Sequence, residues 1–374
     1  MTNPEGLLRT PFSAMYPADL ETEWIDVYGY AVPLWIGDPA DEYAAFRERV
    51  GILEYSMLYK WDLRGTGAVA TANSVFSRDL AKLAPGRIAY GVVTDADGLM
   101  IDDCTATMLA ADHVLLCGGN PLVGNLLRER LPGDTTMSEL REGLAVASVQ
   151  GPRSRELLQR LTEADLSNEA LPYYSVLTDV SLAGIPATIS RLGFTAELGY
   201  EVMVPIDRAA DLWNALFESG EDLGVTACAA AALMMARIEA GMVMGEVEYD
   251  HTVTPFECRM GWAVDFDKGE FLGRESLLAK KDSAEERVVT VRIEGDADGL
   301  DGAPLTARGN PVGFITMAVP SPVLDGATLG MARVHRSAAE VGTALTVTPE
   351  AGQPRTAEVV STPVYDPERL RVRS

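Results

Sequence analysis

From Asp38 the chain reads Asp38-Pro39, acidic Asp41 and Glu42, then Tyr43, Phe46 and Val50 at spacings of three and four, then Gly51. An N-cap, a proline at the first helical position, acid in the first turn and a glycine stop predict a helix. Beyond it, YKWDLRG and RIAYGVVT read as strands and DADG as a tight turn. GLMIDDCTATML is then the returning strand of a hairpin, and DHVLLCGGN a further strand ending in glycines.

VASVQGPRSRELLQRL predicts a strand, a turn at Gly151-Pro152 and a helix. IPATISRLGFTAELGYEVMVP gives two β segments joined through Gly193 and Gly199. IDRAADLWNALFESGEDLG is an amphipathic helix with Leu212, Leu216 and Phe217 on one side. Strands and helices alternate irregularly, an α+β pattern. From about Arg287, VVTVRIEG, PVGFITMA, GMARV and ALTVTP are short strands punctuated by Gly, Pro and Asp, which predicts a small β-barrel or sandwich.

Charge narrows the partners. With 31 Lys+Arg against 55 Asp+Glu, the net charge of −24 repels a phosphate backbone or an anionic membrane leaflet. No nucleic-acid or membrane partner is expected, and an anionic ligand needs a local basic pocket. The longest apolar run, Ala227 to Ala236, is about half a membrane span, and MTNPEGLLRT lacks the apolar core of a signal peptide. A soluble, cytoplasmic protein is expected. Cys104, Cys117, Cys228 and Cys258 show no C-x-x-C spacing, and His113, His251 and His335 are scattered. Neither a disulfide, a metal site nor a Ser-His-Asp triad is expected.

The candidate chemistry lies in acids placed where strands should be buried. Asp102 and Asp103 are adjacent on a strand, so their side chains leave on opposite faces, one toward solvent and one inward. Two turn-adjacent surface acids are the alternative. Apolar Leu99, Met100 and Ile101 before them and Ala106 and Met108 after them favour a packed strand, where an inward carboxylate needs a donor or a cation. Glu197 and Glu201 in GFTAELGYE offer either a pocket or exposed hairpin acids, and Gly193 and Gly199 permit positive φ or close approach of a flat ligand. Arg237 sits in ACAAAALMMARIEAGM, a helix apolar almost all round. Its guanidinium must therefore meet an anion, in a structural salt bridge or at a ligand. Glu239 is about 200° further round that helix and is not its partner. Tyr90 and the aromatics of WIDVYGYAVPLW are either core or a ring-stacking wall.

Together these segments resemble the aminomethyltransferase family, the glycine cleavage T-protein and its folate-dependent demethylase relatives. In family order the chain carries Asp26, Gly29, Pro33 and Leu34, then IAYGVVTDADGLMIDD, VQGP, GFTAELGYE, ARIEAG, PFECRMGW, FLGRESL and SPVL. The resemblance implies an α+β, three-domain T-protein-like fold around a central folate hole. Residues 1–140 form an N-terminal α+β folate-binding region, 141–285 a second α+β domain completing the folate site, and 286–374 a small C-terminal β-barrel. It also implies tetrahydrofolate as cofactor, with Asp103 beside the transferred one-carbon unit, Glu197 on the pterin, and Tyr90 and Arg237 near the folate. Cys117 and Met57 stand at cofactor-site positions where the family has Asn and His.

The departures fall on the substrate side. The family's G-A-R-D becomes Ala231, Ala232, Leu233 and Met234, and the stretch GEVEYDHTVTP gains a residue. Tyr249 within it is a candidate catalytic acid or hydrogen-bond donor, as a tyrosine is in folate-dependent aromatic O-demethylases. The expected enzyme is a tetrahydrofolate-dependent methyltransferase that demethylates a small N-, O- or S-methyl compound to give 5-methyltetrahydrofolate. The alternatives are the glycine-cleavage aminomethyltransferase, whose lipoyl carrier protein the lost G-A-R-D disfavours, and a non-catalytic folate-binding protein of the iron–sulfur assembly type. The last resembles K-G-C-[YF]-x-G-Q, and here Lys268-Gly269 continues without cysteine.

Overall fold

A computed structural model of the chain describes residues 6–374. Residues 1–5, the start of the MTNPEGLLRT stretch read above, lie outside the described residues. The helix opening at Asp38 spans Pro39–Glu48, and the Asp38 carboxylate accepts from Ala40 N at 2.9 Å. Its end differs from expectation. The helix stops at Glu48, and Gly51 lies within the strand Val50–Glu54. Packing demands the glycine there, since a Cβ would stand 2.4 Å from the Phe46 ring and 2.8 Å from Cys228 Sγ.

Among the described residues, eleven strands form one mixed sheet. Its middle is the hairpin of Arg87–Thr94 and Met100–Ala110, flanked by His113–Gly118 on one side and Ser175–Leu182 on the other. Leu144–Gln150 inserts between Val50–Glu54 and Gly199–Pro205, and Ser175 pairs with Arg87. Residue 140, the expected limit of the first unit, lies in the loop between Thr136–Glu139 and Leu144–Gln150, two strands of this sheet. The C-terminal strands close a six-stranded barrel among the described residues, from Glu286–Ile293 to Arg355–Val360. Val291, Leu305, Ile315, Val347 and Val359 fill its interior, and closure leaves no unpaired edge.

Between sheet and barrel lies the helix Ala230–Glu239, rich in alanine and methionine and buried along most of its length. It packs on the Pro39–Glu48 helix and on the barrel strand Asn310–Ser321. Glu239, fully buried, ties these parts together. Its Oε2 accepts from Tyr43 OH at 2.6 Å and Arg47 Nη2 at 2.9 Å, and its Oε1 from Ser321 Oγ at 2.7 Å. Its backbone carbonyl accepts from Val364 N and Tyr365 N of the segment that follows the barrel. Truncation would leave the Arg47 cation buried without its partner. Glu239→Ala is expected to lower unfolding stability by about 3–5 kcal/mol, read as a shift of the urea midpoint. A change below about 0.5 kcal/mol would show the network to be dispensable.

Candidate active site

Register decides which side chains share a face. Tyr90 pairs with Thr105, Thr105 with Cys117, and Cys117 with Lys60, so one row crosses four strands on one face of the sheet. Asp103, two residues before Thr105, projects from that face. Asp102 projects from the other. The expected division holds to that extent: Asp102 is the inward, buried acid, and Asp103 is half-buried on a face where Tyr90, Thr105 and Cys117 are half-buried too.

Asp102 is buried under the glycine-ended strand. Its Oδ2 accepts from Gly119 N at 2.8 Å, Asn120 N at 3.0 Å and the Cys104 thiol at 3.5 Å. The glycines of CGGN make this possible: a Cβ on Gly118 would stand 2.3 Å from Asp102 Oδ2, and one on Gly119 2.2 Å from Tyr28 OH. Tyr28, Asp102, Gly119 and Glu246 line a cleft of about 160 Å³ beside it. Burial, and next the charge of Asp103, pushes the Asp102 carboxyl up to about 8.

Asp103 is held by two tyrosines. Tyr90 OH donates to its Oδ2 at 2.7 Å, and Tyr249 OH donates to its Oδ1 while accepting from Asp103 N at 3.0 Å. Burial raises this carboxyl too, and the two hydroxyls oppose the rise by stabilising the anion. The structure thus brings Asp103, Tyr90 and Tyr249 into direct contact, with Cys117 further along the same row. The Trp262 ring, 56% exposed, stacks on Tyr90 at 5.9 Å and forms an aromatic approach to the cluster.

Glu197 belongs to a second cluster. Its buried carboxylate accepts at Oε1 from Tyr365 OH, with Arg47 Nη1 at 3.9 Å and Arg371 Nη1 at 3.7 Å. Its Oε2 takes no hydrogen bond from a described residue. Arg47 also donates to Thr195 O at 2.6 Å and lies 3.8 Å over the Tyr365 ring. Gly193 and Gly199 are required by packing. They make room for the Gln150 side chain, whose Oε1 would lie 2.0 and 2.1 Å from their added Cβ atoms, and the left-handed residue of the segment is Ala196. Glu201, further along the next strand, is pushed up to about 7 by burial, with the Lys60 cation opposing.

Arg237 contacts neither cluster. Its Nη1 donates to Glu248 Oε2 at 2.6 Å and its Nη2 meets Met317 Sδ at 3.1 Å, with both charged side chains fully buried. The salt bridge is structural, and it fixes the residue preceding Tyr249. Met57 packs with Tyr30 and Val32 against Tyr28, at the rim of the Asp102 cleft. Sequence reasoning missed Arg47, Glu248 and Tyr365, and reached Tyr28 only as one of the aromatics of WIDVYGYAVPLW. Among those missed, only Glu248 carried a signal, as an acid within the altered stretch near a buried arginine. Among the described residues no group of three His, Cys, Asp or Glu side chains is placed to hold a metal. No described helix is long and apolar enough to cross a membrane.

Residues 17–268 match the GCVT N-terminal domain and residues 287–366 the glycine cleavage T-protein C-terminal barrel domain. An aminomethyltransferase of Streptomyces avermitilis is 34% identical over 349 residues, covering 91% of this chain and 93% of the relative. The sarcosine oxidase subunit alpha of a Corynebacterium species is 33% identical over 351 residues, 88% of this chain but 36% of that subunit. The glycine cleavage system aminomethyltransferase T of Bartonella henselae superimposes with a TM-score of 0.86 at 23% identity, covering 96% of this chain and 98% of that one, which shows the fold.

The buried acids give a pH signature. Asp102 and Glu201 ionise near 8 and 7 in the folded chain, and Glu42, Glu54 and Glu197 are raised by burial as well. In the unfolded chain all ionise near about 4. Between those limits the folded state holds more protons, so stability falls as pH rises from about 4 to 8. Tm is expected to drop across that range. Asp102→Asn keeps an acceptor for Gly119 and Asn120 and should flatten the drop. An identical slope in the variant would show that Asp102 does not retain its proton.

Proposed function

The chain belongs to the glycine cleavage T-protein family of aminomethyltransferases, and on that premise we propose that it is a tetrahydrofolate-dependent enzyme that moves a one-carbon unit between folate and a small nitrogen-linked donor. The observation that carries the reading is Asp103: a half-buried carboxylate, its anion stabilised by Tyr90 and Tyr249 and approached past Trp262. A fixed negative charge there favours positive charge developing on the nitrogen that releases the carbon. Tyr249 orients it by bonding to both the backbone and the side chain of the same aspartate. Names built on aminomethyl and sarcosine, both carbon on nitrogen, support an amine over an O- or S-methyl donor.

The residues fit a folate. Glu197 offers a carboxylate oxygen that takes no hydrogen bond from a described residue, suited to the donor edge of an amino-oxo pterin, and Tyr365 and Arg47 hold the other oxygen and fix its direction. Tyr90 and Trp262 supply an aromatic wall, Cys117 lies further along the row of Tyr90, and Met57 stands at the rim of the Asp102 cleft. Bound folate would supply the nitrogen that accepts the one-carbon unit. Arg237 acts at one remove, positioning Tyr249 through Glu248.

A second reading is the glycine-cleavage reaction on a lipoyl carrier protein, favoured by the near full-length match to relatives named aminomethyltransferase. Leu233 and Met234, in place of the family's Arg and Asp, weigh for a small donor. Calorimetric titration with tetrahydrofolate is expected to show binding that Glu197→Ala weakens at least about tenfold. Asp103→Asn should keep that binding and lose about 100-fold or more in transfer rate from methylated amines. Transfer seen only with an aminomethyl-loaded carrier protein selects the second reading. Absence of tetrahydrofolate binding by the wild type refutes both.

A further inference from the structure

Among the described residues Arg259 is a cation without a counter-charge, in a chain of 55 acidic residues. Its side chain makes no hydrogen bond or ion pair with a described residue, and its Nη1 is buried. Elsewhere the fold spends carboxylates freely on buried arginines, on Arg47 through Glu239 and on Arg237 through Glu248. An unpaired half-buried guanidinium is unfavourable unless something else supplies the anion.

Its backbone is strained as well. Arg259 has φ 63°, in the left-handed region that a side chain disfavours. Two neighbouring sites share the feature, Tyr174 at φ 59° and Arg369 at φ 54°. Strain of this kind persists where the surrounding structure holds a group in place for use. Arg369, in the segment after the barrel, likewise has no hydrogen-bond or ion-pair partner for its side chain among the described residues. The positive charge of Arg369 adds to burial in disfavouring the charged form of Arg259, as expected of two like charges with no anion between them.

The place is informative. Arg259 Nη1 and the Thr362 side chain both lie beside Gly241, and Thr362 stands at the root of the segment whose Tyr365 reaches Glu197. Three residues on, Trp262 stacks on Tyr90. Tyr174, in edge contact with Tyr173, accepts through its carbonyl from Ile88 N at 2.9 Å, two residues before Tyr90. Chain continuity thus ties Arg259 to Trp262 beside the Asp103 cluster and Arg369 to Tyr365 of the Glu197 cluster.

We propose that Arg259 and Arg369 form a carboxylate-binding subsite at the mouth of the Asp103–Glu197 site, engaged by a carboxylate of the bound ligand. The inference rests on the folate-dependent reading above. A carboxylate can come from the glutamyl tail of folate or from a donor that is a methylated amino acid. Either meets the fork of Arg259 in planar, charge-assisted hydrogen bonds. The subsite answers how a chain of charge −24 holds an anionic ligand: repulsion at long range, and at the mouth two cations that no internal acid has neutralised.

The test uses the full chain and four ligands: tetrahydrofolate, a tetrahydropterin lacking the benzoylglutamate, a methylated amino acid, and the methylated amine without its carboxylate. Arg259→Met is expected to weaken one carboxylate ligand by about 10- to 100-fold while leaving its carboxylate-free counterpart within about twofold. The ligand affected names the source, and Arg259→Lys should restore part of the loss. Arg259→Gly separates this from a structural role, because relief of the left-handed strain should keep or raise Tm while affinity falls. The subsite is overturned if Arg259→Met changes neither carboxylate ligand, weakens both members of a pair equally, or if Arg259→Gly loses Tm and affinity together. Should the wild type bind no tetrahydrofolate, the preceding reading falls and the amino-acid pair alone decides. No binding of either carboxylate ligand overturns the subsite too.

Discussion

The Arg47–Glu239 ion pair sets the frame in which everything else is placed. Removing both charges from water is unfavourable by several kcal/mol per ion, on the order of what a domain's net stability can bear. It is offset only if the remaining lone pairs and protons find partners. Here Tyr43, Ser321, Thr195 and the Ala236 carbonyl supply them from separate parts of the chain. Satisfying one buried pair therefore fixes the first helix, the barrel, the GFTAELGYE segment and the post-barrel segment in one relative arrangement. Glu197 inherits its position from that arrangement, since Arg47 and Tyr365 both belong to it.

The adjacent carboxylates follow a similar logic on a smaller scale. The alternation of the strand sends Asp102 one way and Asp103 the other, so two neighbours in sequence meet different chemistry. Asp102 receives backbone N–H groups and a thiol, and organises the turn after the glycine-ended strand. Asp103 receives two phenols on the face that carries Tyr90 and Cys117. Their mutual repulsion raises Asp102 and leaves the stabilised charge to Asp103, the member on the site side. The doublet is thus one buried anchor and one half-buried charge.

Local signals were legible where the chain has to satisfy itself locally. Asp38-Pro39 wrote the helix start because the cap bond lies two residues away. The hairpin around DADG followed from alternation and turn residues, and the barrel from short strands between Gly, Pro and Asp. The family motifs, from IDD to GFTAELGYE, identified the fold class and the acids worth following. Gly51, Gly193 and Gly199 misled, because a glycine in sequence reads as a turn or a ligand contact. Each is instead small to admit Phe46 or Gln150 from elsewhere.

The sequence by itself determined the elements, the family, the acidic surface and the fact that buried charge had to be balanced. It established that Arg237 needed an anion and that Glu239 was not that anion, since helical geometry is local. Only the tertiary structure decided that Glu248 pairs with Arg237, that Arg47 pairs with Glu239, that Tyr249 and Tyr90 converge on Asp103, and that Arg259 is left without a partner. These contacts join residues far apart in the chain or across turns of irregular path. Their existence depends on which faces the sheet register and the barrel bring together, and that is a property of packing rather than of spacing.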